Sequence, residues 1–164
     1  MRKDDLPRLV EALKPPIMTF VRESGVRIAL LINGSGQVLA QHGFTRSYEV
    51  MNVASLAAAA HAAARALADM TRARHWTHLH HAGRRRQLFL APLKTPVAEL
   101  IIVVIFDSDT SLGIVQLFFE RLRASVAALP EFQEALAETT EQSFERDLEA
   151  GLHRALTTDL PNEV

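Results

Sequence analysis

The sequence predicts an α/β fold of the α+β sandwich type, in which helices cover a five-stranded antiparallel sheet. Apolar residues recur at helical spacing in several stretches, and short apolar runs typical of strands lie between them. Short turns join neighbouring strands directly, which requires antiparallel pairing. The predicted order of elements is therefore α-β-β-α-β-β-β-α, with the helices packed on the sheet.

The first helix and the first hairpin occupy the N-terminal part of the chain. Apolar residues at positions 6, 9, 10, 13 and 17 follow helical spacing, and we expect the helix to end or kink at Pro15-Pro16. Val26–Ile32 and Gln37–Gln41 are predicted strands on either side of the turn Asn33-Gly34-Ser35-Gly36. This turn has no following Gly-Lys-Ser/Thr and precedes a strand, so it is not a phosphate-binding loop.

An alanine-rich helix is predicted over Val53–Met70, with Asn52 as its N-cap. A helix that covers a sheet usually presents larger aliphatic residues to it. Small side chains on nearly every side are consistent with two interpretations. One side could pack on the sheet and another on a partner, or the whole helix could be packed in a tight interior.

Three strands and a helix complete the predicted domain. The strands are Trp76–Gly83, Gln87–Pro92 and Ala98–Asp107. Pro92 and Pro96 bracket the turn between the last two of these strands. The last strand is the most apolar and is expected to be the most buried. The residues after it favour a helix cap, so the final helix is predicted over Leu112–Leu129.

Charge divides the chain into two parts. Residues 1–130 contain 16 Lys and Arg against 10 Asp and Glu, a net charge of +6, whereas residues 131–164 contain 2 Arg against 9 acidic residues, a net charge of −7. We expect a domain over 1–130 and an acidic C-terminal extension over 131–164. The extension should form an amphipathic helix at about 141–157, whose apolar stripe consists of Phe144, Leu148, Leu152 and Leu156.

Composition excludes several classes of protein. The 164 residues include no Cys, which rules out disulfides and thiolate chemistry. The formal net charge of −1 gives no reason to expect nucleic-acid binding. The longest uninterrupted apolar run, Leu100–Phe106, is far shorter than the roughly 20 residues that a membrane span needs. We therefore expect a cytoplasmic protein with no membrane insertion.

Histidines lie just before the turn that joins the third and fourth predicted strands, and arginines lie within that turn. His75, His78, His80 and His81 lie within seven residues, and a strand would place His78 and His80 on one face, where they could hold a metal ion or a small ligand. No third ligand is evident, and we favour a structural or surface role. Arg84-Arg85-Arg86 should form the hairpin tip, either exposed to solvent or in contact with acidic groups. No nucleophile, base or cofactor motif is present, so we expect no catalytic residues, metal or cofactor.

Three segments resemble the Roadblock (dynein light chain) family. Leu30–Ala40 is similar to the first hairpin of that family, and Ser55-Leu56 with the following alanines resembles its central helix. Ile105–Val115 is similar to the strand-to-helix junction of the bacterial MglB-like members, with its Phe-Asp-x-x-Thr-Ser-Leu-Gly pattern. The resemblance covers about residues 5–129.

The resemblance implies a homodimer in which sheets join edge to edge and central helices pair. It also implies binding to a small Ras-like GTPase of the MglA type and stimulation of its GTP hydrolysis, which controls cell polarity or motility. Such an activator inserts no arginine and instead stabilises the GTPase's own catalytic residues. By position, the GTPase would contact the exposed face of the central helix, which consists of Ala58, His61, Ala62, Arg65 and Ala66.

Three functions remain open from the sequence. The first is this GTPase-activating module, and the second is a Roadblock scaffold that holds a GTPase or motor complex without changing its turnover. The third is a small-ligand sensor that uses the histidine strand. The amphipathic helix of the extension is expected to contact the GTPase through a groove, although it could instead pack on its own dimer.

Overall fold

The computed structural model describes residues 6–43, 49–72, 76–96 and 98–133. These residues form a five-stranded antiparallel sheet of order β2-β1-β5-β4-β3 with helices on both faces, which confirms the predicted fold class and order of elements. The elements are α1 (Leu6–Ser24), β1 (Ile28–Ile32), β2 (Val38–Gly43), α2 (Val50–Met70), β3 (Leu79–Ala82), β4 (Gln87–Lys94), β5 (Glu99–Phe106) and α3 (Leu112–Ala127).

Strand β5 lies in the middle of the sheet and is buried on both faces. Its even-numbered side chains, from Leu100 to Phe106, join the core formed with α1 and α3. Its odd-numbered apolar side chains, Ile101, Val103 and Ile105, join a second core under α2. Because side chains alternate between the two faces of a strand, β5 contributes to two separate cores. Among the described helices, α2 is the one that covers the second core.

Of the two outcomes expected at the prolines, an end or a kink, the end is wrong, because α1 continues through Pro15 and Pro16 to Ser24. Neither proline can donate a backbone hydrogen bond, which normally destabilises a helix interior. The apolar stripe continues past them, however, and Leu13, Ile17 and Phe20 are almost fully buried against the sheet. Burial of this stripe offsets the missing hydrogen bonds.

Helix α2 begins earlier than predicted. It starts at Val50 with Glu49 at the N-cap position, where no side-chain capping bond forms. Asn52 is therefore not the cap, and its amide instead donates a hydrogen bond to the Glu49 carboxylate. The predicted end at Met70 is confirmed. In the described part of the chain, α2 is the one helix whose length and composition would suffice to cross a membrane, and one side of it packs on the sheet.

Several strand boundaries also differ from the prediction, and two of them affect how the sheet ends. Strand β3 begins at Leu79 instead of Trp76. Strand β4 continues to Lys94, so Pro92 pairs with Ile101 inside the ladder and does not begin the turn. Strand β3 pairs with β4 only as far as Leu90, which leaves β4 with an open side at the proline. A proline is tolerated in a strand where no neighbour needs its N–H.

The first hairpin turn packs directly against α2. The side-chain Oδ1 of Asn33 accepts hydrogen bonds from the backbone N–H groups of Ser35, at 3.1 Å, and Gln37, at 2.9 Å. Gly36 has a φ of +83°, and a Cβ added there would lie 3.0 Å from the Cα of Ser55 in α2. The predicted turn is confirmed, and its second glycine is needed for both conformation and close approach.

We expect Gly36→Ala to lower the free energy of unfolding by about 2 kcal/mol, because it adds left-handed strain and a backbone clash with α2. Gly34→Ala is the matched control, since open space surrounds the position where its Cβ would lie. That control should change stability by less than about 0.5 kcal/mol. Urea unfolding of both variants measures the difference, and equal stabilities would contradict the close packing of the turn on α2.

An ion-pair cluster fixes the junction between β5 and α3 to the start of β1. The guanidinium of Arg27 donates to Asp107 at 2.5 Å and to Asp109 at 2.6 Å. The Asp107 carboxylate also accepts the backbone N–H of Asp109 at 3.1 Å. Chiefly the Arg27 hydrogen bond, and then this backbone bond, hold the pKa of Asp107 below its usual value of 3.8. Ser111 then caps α3, as the sequence predicts.

The lowered pKa of Asp107 predicts a pH dependence of stability. The Arg27 contacts stabilise the fold fully above pH 4 and lose their effect as the pH falls through the lowered pKa. Arg27→Met should therefore be less stable than the wild type at pH 7, and the difference should shrink towards pH 2. Urea unfolding at several pH values tests this, with Arg123→Met, which breaks an exposed pair with Glu120 on α3, as the control. A difference that stays constant with pH would contradict the assignment.

Candidate functional site

Helix α2 has one buried side and one strongly exposed apolar side. The buried side consists of Ala54, Ala57, Ala58, His61 and Ala68. Large apolar residues elsewhere on the helix reach solvent, with exposed fractions from 62% to 81%, and they are Met51, Leu56, Leu67 and Met70. Several exposed large apolar residues on one element are typical of a surface that contacts another protein.

All five residues that the resemblance placed at the partner surface line one groove beside α2. The groove has a volume of about 430 Å³ and runs between the C-terminal half of the helix, the first hairpin turn and the start of β5. Its lining consists of Gly34, Ala58, His61, Ala62, Arg65, Ala66, Asp69, Glu99 and Ile101. The structure thus brings the predicted residues together around a single concave surface.

The expectation that all five lie on an exposed face is wrong for two of them. Ala58 and His61 are only 7% and 5% exposed, because they turn towards the sheet as the inner wall of the groove. Ala62, Arg65 and Ala66 are exposed and form the outer wall. The helical period explains the division, since positions 58 and 61 lie three apart on the buried side of the helix.

Glu99, which sequence reasoning did not single out, connects the two walls of the groove. Its Oε1 accepts a hydrogen bond from Nη1 of Arg65 at 2.9 Å and lies 3.4 Å from Nε2 of His61. The His61 ring also contacts the ring of Trp76 edge to face, with 5.1 Å between centroids. Nδ1 of His61 is buried and has no hydrogen-bond partner among the described residues. The one signal in the sequence was a charged residue at the start of an otherwise apolar strand.

A second groove, of about 450 Å³, lies on the other side of α2 and is mainly apolar. Val53, Leu56 and Ala60 form its helical wall, and strands β3 and β4 form its floor. The groove opens beside β3, which is an edge strand in this sheet of five strands. Arg86 lines its rim, and Arg84–Arg86 lie exposed at the β3–β4 hairpin, as the sequence predicts.

Two of the clustered histidines, His78 and His80, pack against the edge of the larger core. The His78 ring stacks on Phe89, with 5.2 Å between centroids, and the His80 ring stacks on Phe106 at 6.1 Å. His80 Nε2 also lies 2.9 Å from the side-chain oxygen of Gln87. His81 is exposed, and His75 lies outside the described residues. Within the described ranges no group of three or more His, Asp or Glu could hold a metal ion.

The predictions for the C-terminal extension fall mostly outside the described residues, including the stripe Phe144, Leu148, Leu152 and Leu156. The first residues after the proposed boundary are described. Phe132 is 1% exposed and belongs to the core formed by α1, α3 and the sheet. The body of the domain therefore includes at least this residue of the extension.

The described residues thus form an antiparallel sheet with an alanine-rich helix on one face and a groove on each side of that helix. Residues 18–106 match the family model of the Roadblock/LC7 domain, and the chain belongs to this family. The Roadblock fold is generally non-catalytic. A comparison with curated protein sequences finds no match.

Solved structures of MglB are similar to this chain. MglB from Thermus thermophilus, described as a gliding protein, is 28% identical with a TM-score of 0.62, covering 82% of this chain and 95% of the other. An MglB described as having a tetrameric arrangement is 29% identical with a TM-score of 0.63, covering 83% and 96%. Myxococcus xanthus MglB shares the fold at 23% identity, with a TM-score of 0.64 and coverage of 70% and 91%.

Proposed function

We propose that this protein is a cytoplasmic homodimeric regulator that binds a small Ras-like GTPase of the MglA type and stimulates its GTP hydrolysis, in the control of cell polarity or motility. The observation that supports it most is the groove beside α2. Ala58, His61, Ala62, Arg65 and Ala66 line this groove in a chain similar to MglB. A concave surface of small residues suits close approach by another protein.

The proposed mechanism requires no catalytic residue from this chain. In the groove, the Arg65 guanidinium donates to Glu99 across the two walls, which makes it part of the binding surface. Activation would then arise because binding holds the mobile loops of the GTPase in the arrangement that positions its own water and charged residues. Positioning and electrostatics supply most of the acceleration in phosphoryl transfer.

Phosphate release by the small Ras-like GTPases of the source genome, each loaded with GTP, tests the proposal. We expect the protein to accelerate hydrolysis by at least about tenfold for one of them. Ala62→Arg should abolish binding and acceleration, because a long charged side chain fills the groove. Ala124→Arg is the matched control, since Ala124 is an exposed alanine on α3, on the opposite face of the sheet.

Two outcomes would contradict this assignment. If Ala62→Arg stays folded by circular dichroism and still binds the GTPase, the binding site lies elsewhere on the domain. If the wild type binds a GTPase without changing its turnover, the protein is a scaffold and not an activator.

The homodimer is proposed to form at the second groove, where Leu56 is 71% exposed beside the free edge of β3. An open strand edge and an apolar helix surface both favour pairing with a second copy. Leu56→Glu should convert the dimer to a folded monomer at micromolar concentration in sedimentation equilibrium. Leu117→Glu, on the exposed side of α3, should leave the dimer intact. A wild type that sediments as a monomer would overturn the proposal.

The C-terminal amphipathic helix is proposed to contact the GTPase through its apolar stripe. A free helix of about 16 residues is marginal in water, so its apolar side chains need a surface to cover them. Deletion of residues 140–164 should preserve the dimer and change GTPase affinity or turnover. Unchanged binding and turnover after the deletion would refute the contact and favour packing on the chain's own dimer.

A further inference from the structure

Acidic residues outnumber basic ones by two to one in the lining of the groove beside α2. Glu99 and Asp69 both line it, against the single permanent cation Arg65. Arg65 and His61 both approach the same oxygen of Glu99, Oε1. In the described part of the chain, neither the second oxygen of Glu99 nor the carboxylate of Asp69 has a hydrogen-bond or ion-pair partner. Two carboxylates therefore retain acceptor sites at the groove.

The walls and floor of this groove leave room for a long side chain. Ala58, Ala62 and Ala66 follow one another at intervals of four residues, so this row of α2 contributes only methyl groups to the groove. Gly34 lines the opposite wall and has nothing within 4 Å of the position where a Cβ would lie. An extended aliphatic stem could thus lie along the helix with its end at Glu99.

A third observation concerns His61, in the wall of the groove beside Glu99. His61 is 5% exposed, lines the groove, and its Nδ1 has no partner in the described residues. Buried polar atoms in folded proteins almost always have a partner. Trp76 and Glu99 hold the imidazole in place on its other sides. The imidazole therefore stays fixed beside Glu99 in the groove wall, with a ring nitrogen that no described residue uses.

We propose that this groove receives a lysine or arginine side chain of the partner protein, whose cation is held by Glu99 and Asp69. The inference rests on the proposed function in that the partner is the GTPase. The stem of the side chain lies over Ala62 and Ala66. The charge of the groove favours a cationic partner side chain over an anionic one. A partner carboxylate would have to approach two acidic groups, and Arg65 already donates to Glu99.

The distinguishing experiment measures the affinity of the GTP-loaded GTPase for single-residue variants. Glu99→Gln should weaken binding by about tenfold, since it removes the acceptor of a charge-assisted hydrogen bond. Arg65→Met keeps the aliphatic stem but removes the cation that competes for Glu99, so it should tighten binding of the GTPase. Glu120→Gln is the matched control, because Glu120 pairs with an arginine on α3, away from the groove.

The opposite pattern would overturn the inference. If Arg65→Met loses affinity while Glu99→Gln does not, the groove binds a partner carboxylate through Arg65. If Glu99→Gln binds as tightly as Glu120→Gln, no partner cation reaches Glu99. Each substitution changes the formal charge by one unit, and circular dichroism checks that each variant is folded.

A second arm separates failure of this inference from failure of the proposed function. Trp76 is the single tryptophan of the chain, and its ring contacts His61 in the groove wall. Titration of the full-length protein with Nα-acetyl-argininamide should change Trp76 fluorescence saturably, and the Glu99→Gln variant should lose this change. If the wild type responds but binds no small GTPase, the groove inference stands and the proposed function fails. If the wild type and Glu99→Gln respond identically, the groove inference fails regardless of GTPase binding.

Discussion

The fold depends on burial of β5 from both sides. A strand with an apolar residue at every position from Leu100 to Phe106 cannot leave either face to solvent, so helices must cover both. One face is covered by α1 and α3, which supply large side chains such as Phe20 and Phe119. Among the described elements, α2 is the one helix that covers the other face. The position of α2, and with it the geometry of both grooves, follows from this one requirement.

The two cores differ in the size of the side chains that the helices contribute. Apart from His61, the buried residues of α2 are all alanines, so its backbone lies close to the sheet and fills little of the space beside it. Larger residues at these positions would have increased apolar burial and closed the grooves. The small side chains therefore bury less apolar surface on this face of the sheet, which lowers stability, and they leave concave surfaces on both sides of the helix.

The sequence predicted the elements well and the contacts between them less well. Periodicity and turn residues located every helix and strand, because these signals are local. The sequence left open whether α1 ends or kinks at Pro15-Pro16, since the deciding factor is burial of Ile17 and Phe20 against a sheet formed by distant residues. The helical spacing of the alanines could not tell which side faces the sheet. The family resemblance placed His61 on the exposed face, but it is buried.

The sequence marks Glu99 only as a charged residue at the start of an apolar strand, because its role depends on tertiary register. It is the first residue of β5, on the side that faces α2, and only the packing of that helix brings Arg65 and His61, more than 30 positions away, to its carboxylate. The hairpin turn adds the remaining wall of the same groove, because Gly36 lets the turn approach α2 closely and thereby places Gly34 opposite the alanines. The features that seat α2 on the sheet therefore also build the surface on which the proposed function depends.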